Sequence, residues 1–511
     1  MDKKKLIRLT TADISLEGLL EGQLRFLSQY YDVVGVASDT GVLNKVAERE
    51  GIRVVNVPMR REISPLQDLR SLRDLYRLFC RERPWCVHAN TPKGSLLAMM
   101  AAWAARVPHR VYTVTGLRYQ GVHGLMRGLL KAMERVTCCC ATNVIPEGNG
   151  VLHSLKTDHI TRKPLRVLHF GNINGKDTRH LSRRQTVADY IQAPYDKVTD
   201  EDIDDLRRSW RQKLGFSDDD FVFVFIGRMT NDKGMRELAQ AMKRLTERQI
   251  VEETERQKEQ IGEETERQKE QIVEETERQK EQIGEETERQ KEQIGDETER
   301  RKEQIGDGTE RRKEQIGDET ERRLGEVERQ KGQIGVGKEV MGSVRLLLVG
   351  QMEEGDAIPD DVRQFFLHDE AVRYVGLKHD VRPLLLVADA LVFPSYREGF
   401  PNVPMEAGAM GLASIVTDVN GSNEIIKDGL NGRIIPSPLD KKGHLHDITL
   451  ALTEAMQWFV LHPAEVRRMA DNAPRIIHEC YEQRDVWQAL LEYYDSLSPN
   501  PSIKGEKSRT R

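Results

Sequence analysis

The sequence has few long apolar runs. No stretch reaches the roughly 18 consecutive apolar residues that a membrane-spanning helix requires, so a soluble or peripheral protein is expected. The start, Met1 to Ile7, carries three lysines but no apolar run and no small-residue cleavage site, and a secretory leader is not expected there. Cysteine is scarce: the six are Cys80, Cys86, Cys138, Cys139, Cys140 and Cys480. None are spaced Cys-x-x-Cys and three are adjacent, which excludes a disulfide framework. They read as reduced core cysteines of a cytoplasmic protein. No Gly-x-Gly-x-x-Gly occurs, which disfavours a nicotinamide site. The net charge of −5 gives no sign of a nucleic-acid partner.

Charge, in contrast, is plentiful at 32% of residues, while hydrophobic residues make up 38%. One segment accounts for both figures. From Thr254 to Glu319 an 11-residue unit beginning Thr-Glu-Arg recurs six times, with degenerate copies extending it to 246–338. Ile261, Ile272, Ile283, Ile294, Ile305 and Ile316 mark its register. Eleven residues are close to three helical turns, so the isoleucines fall on one slowly drifting line. Glu252 precedes Arg256, and Glu263 precedes Arg267, by the four residues that favour helix pairs. The seam is thin and Gly262, Gly284, Gly295, Gly306 and Gly317 interrupt it. The expectation is a solvated, partly helical spacer or hairpin that self-associates weakly, with plain disorder as the alternative. The units carry −9, so the rest of the chain is mildly basic at +4.

Outside the repeats, apolar β-branched runs alternate with helical patterns. One series is Leu6–Leu9, Val33–Ala37, Cys86–Ala89, Val111–Val114, Cys138–Ile145 and Leu165–Phe170. The other is Phe221–Ile226, Leu346–Val349, Val372–Val375, Ala388–Phe393, Ser414–Val416 and Arg433–Ile435. Strands apolar throughout imply parallel sheets covered on both faces. The predicted architecture is α/β: two doubly wound, Rossmann-like domains, 1–185 and 205–480, joined by a linker at 186–204. The repeats are a surface insertion in the second domain, where added length costs little closure entropy. A last amphipathic helix, 485–497, turns Val486, Leu490, Leu491 and Tyr494 inward and is placed back on the first domain. The polar tail 498–511 is expected to be disordered.

In open α/β sheets ligands bind beyond the carboxyl ends of the strands. The turn Gly227-Arg228-Met229-Thr230-Asn231-Asp232-Lys233-Gly234 offers a glycine, two cations and a helix start, a set suited to a diphosphate. The turn after Ala388–Phe393 places Glu398 in a loop and Glu406 in the following helix, behind Pro401 and Pro404. Two such carboxylates suit paired hydroxyls; a capped helix with surface acids is the bland alternative. A third turn runs from Thr417 to Glu424. A fourth, Thr10 to Gln23, contains Gly18 and Gly22, where a glycine permits close backbone approach.

Taken together, Gly227-Arg228 with Lys233-Gly234, Glu398-Gly399-Phe400-Pro401-Asn402 with Glu406 after seven intervening residues, and Thr417-Asp418-x-x-Gly421-x-x-Glu424 resemble glycosyltransferase family 4, the retaining GT-B enzymes. The segments Val87–Gly94, Val111–Tyr119 and Gly171–Asp177 resemble its capsular and O-antigen polysaccharide branch. The resemblance spans nearly everything except the repeats, the linker and the tail. It implies a hexosyl- or N-acetylhexosaminyltransferase that moves sugar from a nucleotide sugar, UDP-linked, to a lipid-linked glycan, at the inner membrane face and with no metal.

The resemblance also assigns roles. Arg228 and Lys233 would hold the donor diphosphate and stabilise the leaving group. Glu398 would face the donor sugar. Gly227, Gly399, Phe400 and Asn402 would present backbone to sugar and phosphate, Glu406 would bind the ribose, and Gly18 would let the first loop approach the diphosphate. Lys93 and Arg118 would lie on the acceptor side. The chain departs from the family at Thr115 and Asn90, where histidines are common, leaving His88 as the acceptor-side histidine or as a structural one. The segment Gly124–Arg135 would form an interfacial helix or a buried amphipathic one. Two other readings stand beside the transferase: a nucleotide-sugar epimerase on the same scaffold, and a scaffold protein acting through the repeats.

Overall fold

A computed structural model describes residues 3–60, 64–122, 124–293, 310–324, 343–353, 356–439 and 444–497. The expected tail and repeat residues 294–309 and 325–338 lie outside this set. The chain divides into two compact units, 1–243 with 344–511, and 244–343.

The first unit holds two six-stranded parallel sheets. One comprises β1 (Lys5–Ala12), β2 (Asp32–Ser38), β3 (Arg53–Asn56), β4 (Cys86–Ala89), β5 (His109–Val114) and β6 (Asn143–Pro146), in the order β3-β2-β1-β4-β5-β6. The other comprises β7 (Phe221–Ile226), β8 (Val344–Val349), β9 (Val372–Tyr374), β10 (Ala390–Phe393), β11 (Ala413–Thr417) and β12 (Gly432–Ile435), in the order β12-β11-β10-β7-β8-β9. The two orders are the same topology. Each reverses direction once, between β1 and β4 and between β7 and β10, which fixes where a crevice opens beyond the strand ends. The strand interiors are buried on both faces, as in Val222, Phe223, Val224 and Phe225. β7 and β8 pair along six residues although the repeats separate them in sequence.

The last helix, Gln483–Leu497, buries the four apolar residues expected of it and packs on the first sheet. The Tyr494 hydroxyl lies 2.5 Å from His88 Nδ1 and accepts from Arg8 at 3.1 Å. His88 Nε2 lies 2.7 Å from the Thr113 hydroxyl. Burial, and then the Arg8 charge, push His88 well below the usual histidine range. His88 is therefore a member of a buried polar network under this helix.

Several expectations need correction. Cys138–Cys140 are the end of a helix, Gly124–Cys140, and only the second half of that apolar run is strand. Lys163 Nζ satisfies the last carbonyls, donating to Cys138 at 2.6 Å and Cys139 at 2.9 Å. Leu165–Phe170 forms no strand; Leu165 makes one bridge to Val144. β3 went unseen because its four residues form a short, partly exposed edge. The stretch expected as a linker is largely helical. Arg183–Ile191 is capped by Ser182 and buries Thr186, Val187 and Ala188. The helix Asp200–Leu214 opens with a Thr199–Asp202 capping box. Arg183 itself donates to the carbonyls of Met410 and Gly411 at 2.9 and 2.8 Å.

In the second unit the described repeats are helical, within Met235–Gln293 and at 310–324. The Thr276 and Thr320 hydroxyls meet at 2.8 Å, and Arg323 pairs with Glu275 at 3.1 Å. A Cβ on Gly284 would lie 3.7 Å from Lys313 Nζ, so the two helices run antiparallel. Ile272 and Thr276 are buried in their seam.

Candidate functional site

The second sheet sets the site. After β7 the chain passes through Gly227 and a turn at Asn231–Lys233. Gly234 follows at φ +71°, and a Cβ there would lie 2.2 Å from the Pro394 carbonyl. Only glycine lets this turn press against the loop after β10. That contact ion-pairs Lys233 with Glu398, each with its side chain 14% exposed. The Ser395 hydroxyl donates to Glu398 at 2.7 Å, and Lys233 Nζ stands 5.5 Å from the Phe393 ring centroid. Asp232 sits beside the pair. Burial pushes its carboxyl upward, but the Thr230 hydroxyl at 2.6 Å and the charges of Lys233, Arg397 and Arg228 outweigh this and hold it below the ordinary value. Arg228 is on the rim, 58% exposed and paired with Glu353 at 3.0 Å.

The first sheet supplies the facing wall. The Thr115 hydroxyl donates to the Asn90 carbonyl at 2.6 Å, and a Cβ on Gly399 would lie 2.2 Å from the Thr115 carbonyl oxygen. Glycine at 399 is thus required for the two lobes to meet here. Phe400 is buried between Gly148, Gly171 and Tyr481. Asn402 opens the helix Asn402–Ala409. Glu406 on that helix pairs with Lys176 of the first lobe's last loop at 2.5 Å. Glu424 reaches across as well, accepting from the backbone N–H of Asn149 at 2.6 Å and of Gly150 at 2.9 Å at the start of the helix Asn149–Thr157.

Glu147, directly after β6, is 6% exposed and faces this junction. Burial first, then the charges of Glu398 and Glu424, push it up to about 8.

The structure thus brings together Lys233, Glu398, Gly399, Phe400 and Glu406 around one interlobe junction, with Gly227, Asn402 and Arg228 at its margin. Gly18 is different: it lies inside the helix Asp13–Leu19, and a Cβ there would meet nothing within 4 Å. The constrained glycine of that connection is Gly22, at φ +75° and 2.7 Å from the Trp487 ring by its Cβ position. Lys93 is 7% exposed and paired with Asp68 at 2.7 Å, whereas Arg118 is exposed. Sequence reasoning passed over Lys176 and Glu147, and gave Glu424 no partner.

The arrangement of two matched doubly wound lobes agrees with the family comparisons. Residues 26–171 match the model described as glycosyl transferase 4-like domain, and residues 334–454 that of glycosyl transferases group 1. The chain belongs to glycosyltransferase family 4. This glycosyltransferase is 23% identical over 500 residues to the capsular polysaccharide biosynthesis glycosyltransferase CapM of Staphylococcus aureus, covering 97% of this chain and 98% of that one. It is 22% identical over 448 residues to the Escherichia coli UDP-Gal:alpha-D-GlcNAc-diphosphoundecaprenol alpha-1,3-galactosyltransferase, covering 84% of each. Its fold is GT-B: Anabaena HepE in complex with UDP superposes with a TM-score of 0.60 at 14% identity, covering 96% of this chain and 100% of that one. WaaG, a glycosyltransferase of lipopolysaccharide biosynthesis, superposes with 0.56 at 13% identity, covering 97% and 100%.

Proposed function

We propose that this glycosyltransferase moves a hexosyl or N-acetylhexosaminyl unit from a UDP-sugar to a lipid-diphosphate-linked glycan, with retention of configuration, during cell-surface polysaccharide synthesis. The observation that carries this reading is the Lys233–Glu398 pair at the switch point of the second sheet. Lys233 stabilises the departing diphosphate and Glu398 holds the sugar. Arg228 leaves its exposed partner Glu353 to share the phosphate charge. Glu406 binds the ribose after release from Lys176. The acceptor hydroxyl attacks the anomeric carbon on the face the leaving group departs from. Its proton passes to the leaving phosphate oxygen as the glycosidic bond forms. The protein's part is charge stabilisation and positioning; the reading assigns no metal.

The donor and acceptor classes are supported by the names of relatives, which include a UDP-Gal transferase acting on a diphosphoundecaprenol-linked sugar. A peripheral position at the inner membrane face is supported by the helix Gly124–Cys140. Leu125, Met126, Leu129 and Val136 are exposed on it, 95% for Leu125, with Arg135 exposed among them. Among the described residues no helix is long and apolar enough to cross a membrane. The test is a mass-spectrometric screen of UDP-sugars against undecaprenyl-diphosphate-linked acceptors. An α-linked product supports the reading; an epimer formed from donor alone, with no transfer, overturns it.

A further inference from the structure

Glu147 is not used by the mechanism above, yet it occupies the centre of the interlobe junction. Its Oε2 lies 3.0 Å from the position a Cβ on Gly399 would take, so the carboxyl points from the first lobe at the donor loop of the second. Three carboxyl groups converge there and two are compensated. Glu398 has Lys233 and Ser395, and Glu424 has the two backbone N–H groups of Asn149 and Gly150. Among the described residues nothing hydrogen-bonds the Glu147 carboxyl, although the residue is more than nine-tenths buried. The small pocket it lines is also bounded by Arg8 and Asn172, whose Nε and Nδ2 are buried without partners.

A buried carboxyl without a donor, set against two others, is unfavourable for the folded chain. Such a group is retained where a ligand completes it. The loop it faces, Glu398–Gly399, is the one assigned to the sugar. We infer that Glu147 is a specificity-determining residue for the transferred sugar, hydrogen-bonding one hydroxyl of the hexose that Glu398 and Gly399 hold. This rests on the proposed donor site. In its protonated form the carboxyl both donates to and accepts from a hydroxyl. A site that is left with an unpaired polar group discriminates strongly against the sugar lacking that hydroxyl.

The test uses the full-length enzyme, its Glu147→Ala and Glu147→Gln variants, and deoxy analogues of whichever UDP-hexose the wild type turns over fastest. UDP affinity by calorimetry and thermal midpoints are measured alongside. For one deoxy position the wild type should lose at least ten-fold in kcat/KM, and Glu147→Ala should show no loss, with UDP affinity within two-fold of wild type. Equal losses at every deoxy position in both enzymes would overturn the inference, as would a fall in UDP affinity parallel to the fall in activity. A wild type inert toward every UDP-sugar would instead count against the proposed function itself.

Discussion

Lys233 and Glu398 are ion-paired across the switch point of the second sheet, one from the turn after β7 and the other from the loop after β10. Both side chains are largely buried, so each is the other's main counter-charge. A buried pair contributes little net stability but is costly to break on one side. Under the proposed function this pair, set at a strand-end crevice, serves the reaction. Lys233→Ala and Glu398→Gln should each lower kcat by about 100-fold or more, the scale seen when one charge-stabilising donor is removed. Thermal melts should show both variants folded. Turnover near wild type in either would remove that residue from the site.

Glu147 makes stability depend on pH. Its folded value is raised to about 8, chiefly by burial and then by Glu398 and Glu424. In the unfolded chain the carboxyl loses its proton near the ordinary value of about 4.3. Between these limits the folded state holds the extra proton, so this group's contribution to stability falls as pH rises and levels off above about 8. Glu147→Gln should remove that slope. Its thermal midpoint should gain on wild type steadily from pH 5 to pH 8, measured by scanning calorimetry. A constant difference across that range would mean that Glu147 does not titrate there.

Much of this site was legible because the chemistry is local. Gly227–Gly234 and Glu398–Glu406 are contiguous segments that follow neighbouring strands, β7 and β10. The central strands were legible because burial on both faces makes them apolar throughout. Cys138–Cys140 misled because a short apolar run cannot tell a buried helix end from a strand. Gly18 misled because its segment is helical, and the glycine under constraint is Gly22 against Trp487. Glu147 could not be read at all. Its environment is made by Glu398, Gly399 and Glu424, which reach it only through the folding of the other lobe. The same holds for Lys176 and its partner Glu406.

Glu424 caps the helix Asn149–Thr157 from the opposite lobe. An anionic cap on exposed helix N–H groups is worth about 1 kcal/mol. Glu424→Ala should cost about that much in chemical denaturation and should loosen the contact between the lobes. Small-angle scattering of the variant should give a larger radius of gyration than wild type without nucleotide. An unchanged radius and midpoint would show that the cap carries neither role.

Leu125 and Leu129 lie on one outward stripe of the helix Gly124–Cys140, away from the face that buries Glu134, Thr137 and Cys138. If the stripe meets the bilayer, charge placed on it should be expelled. Each leucine removed from the membrane forfeits about 1.5–3 kcal/mol of burial at most. Leu125→Asp with Leu129→Asp should reduce co-sedimentation with phosphatidylglycerol vesicles by ten-fold or more. The variant should also lose activity on an undecaprenyl acceptor embedded in those vesicles. Activity on a short-chain, water-soluble acceptor should stay at the wild-type level, because neither side chain touches the Lys233–Glu398 junction. Equal losses on both acceptors would mean that the stripe supports the fold, and unchanged sedimentation would remove the bilayer from its role.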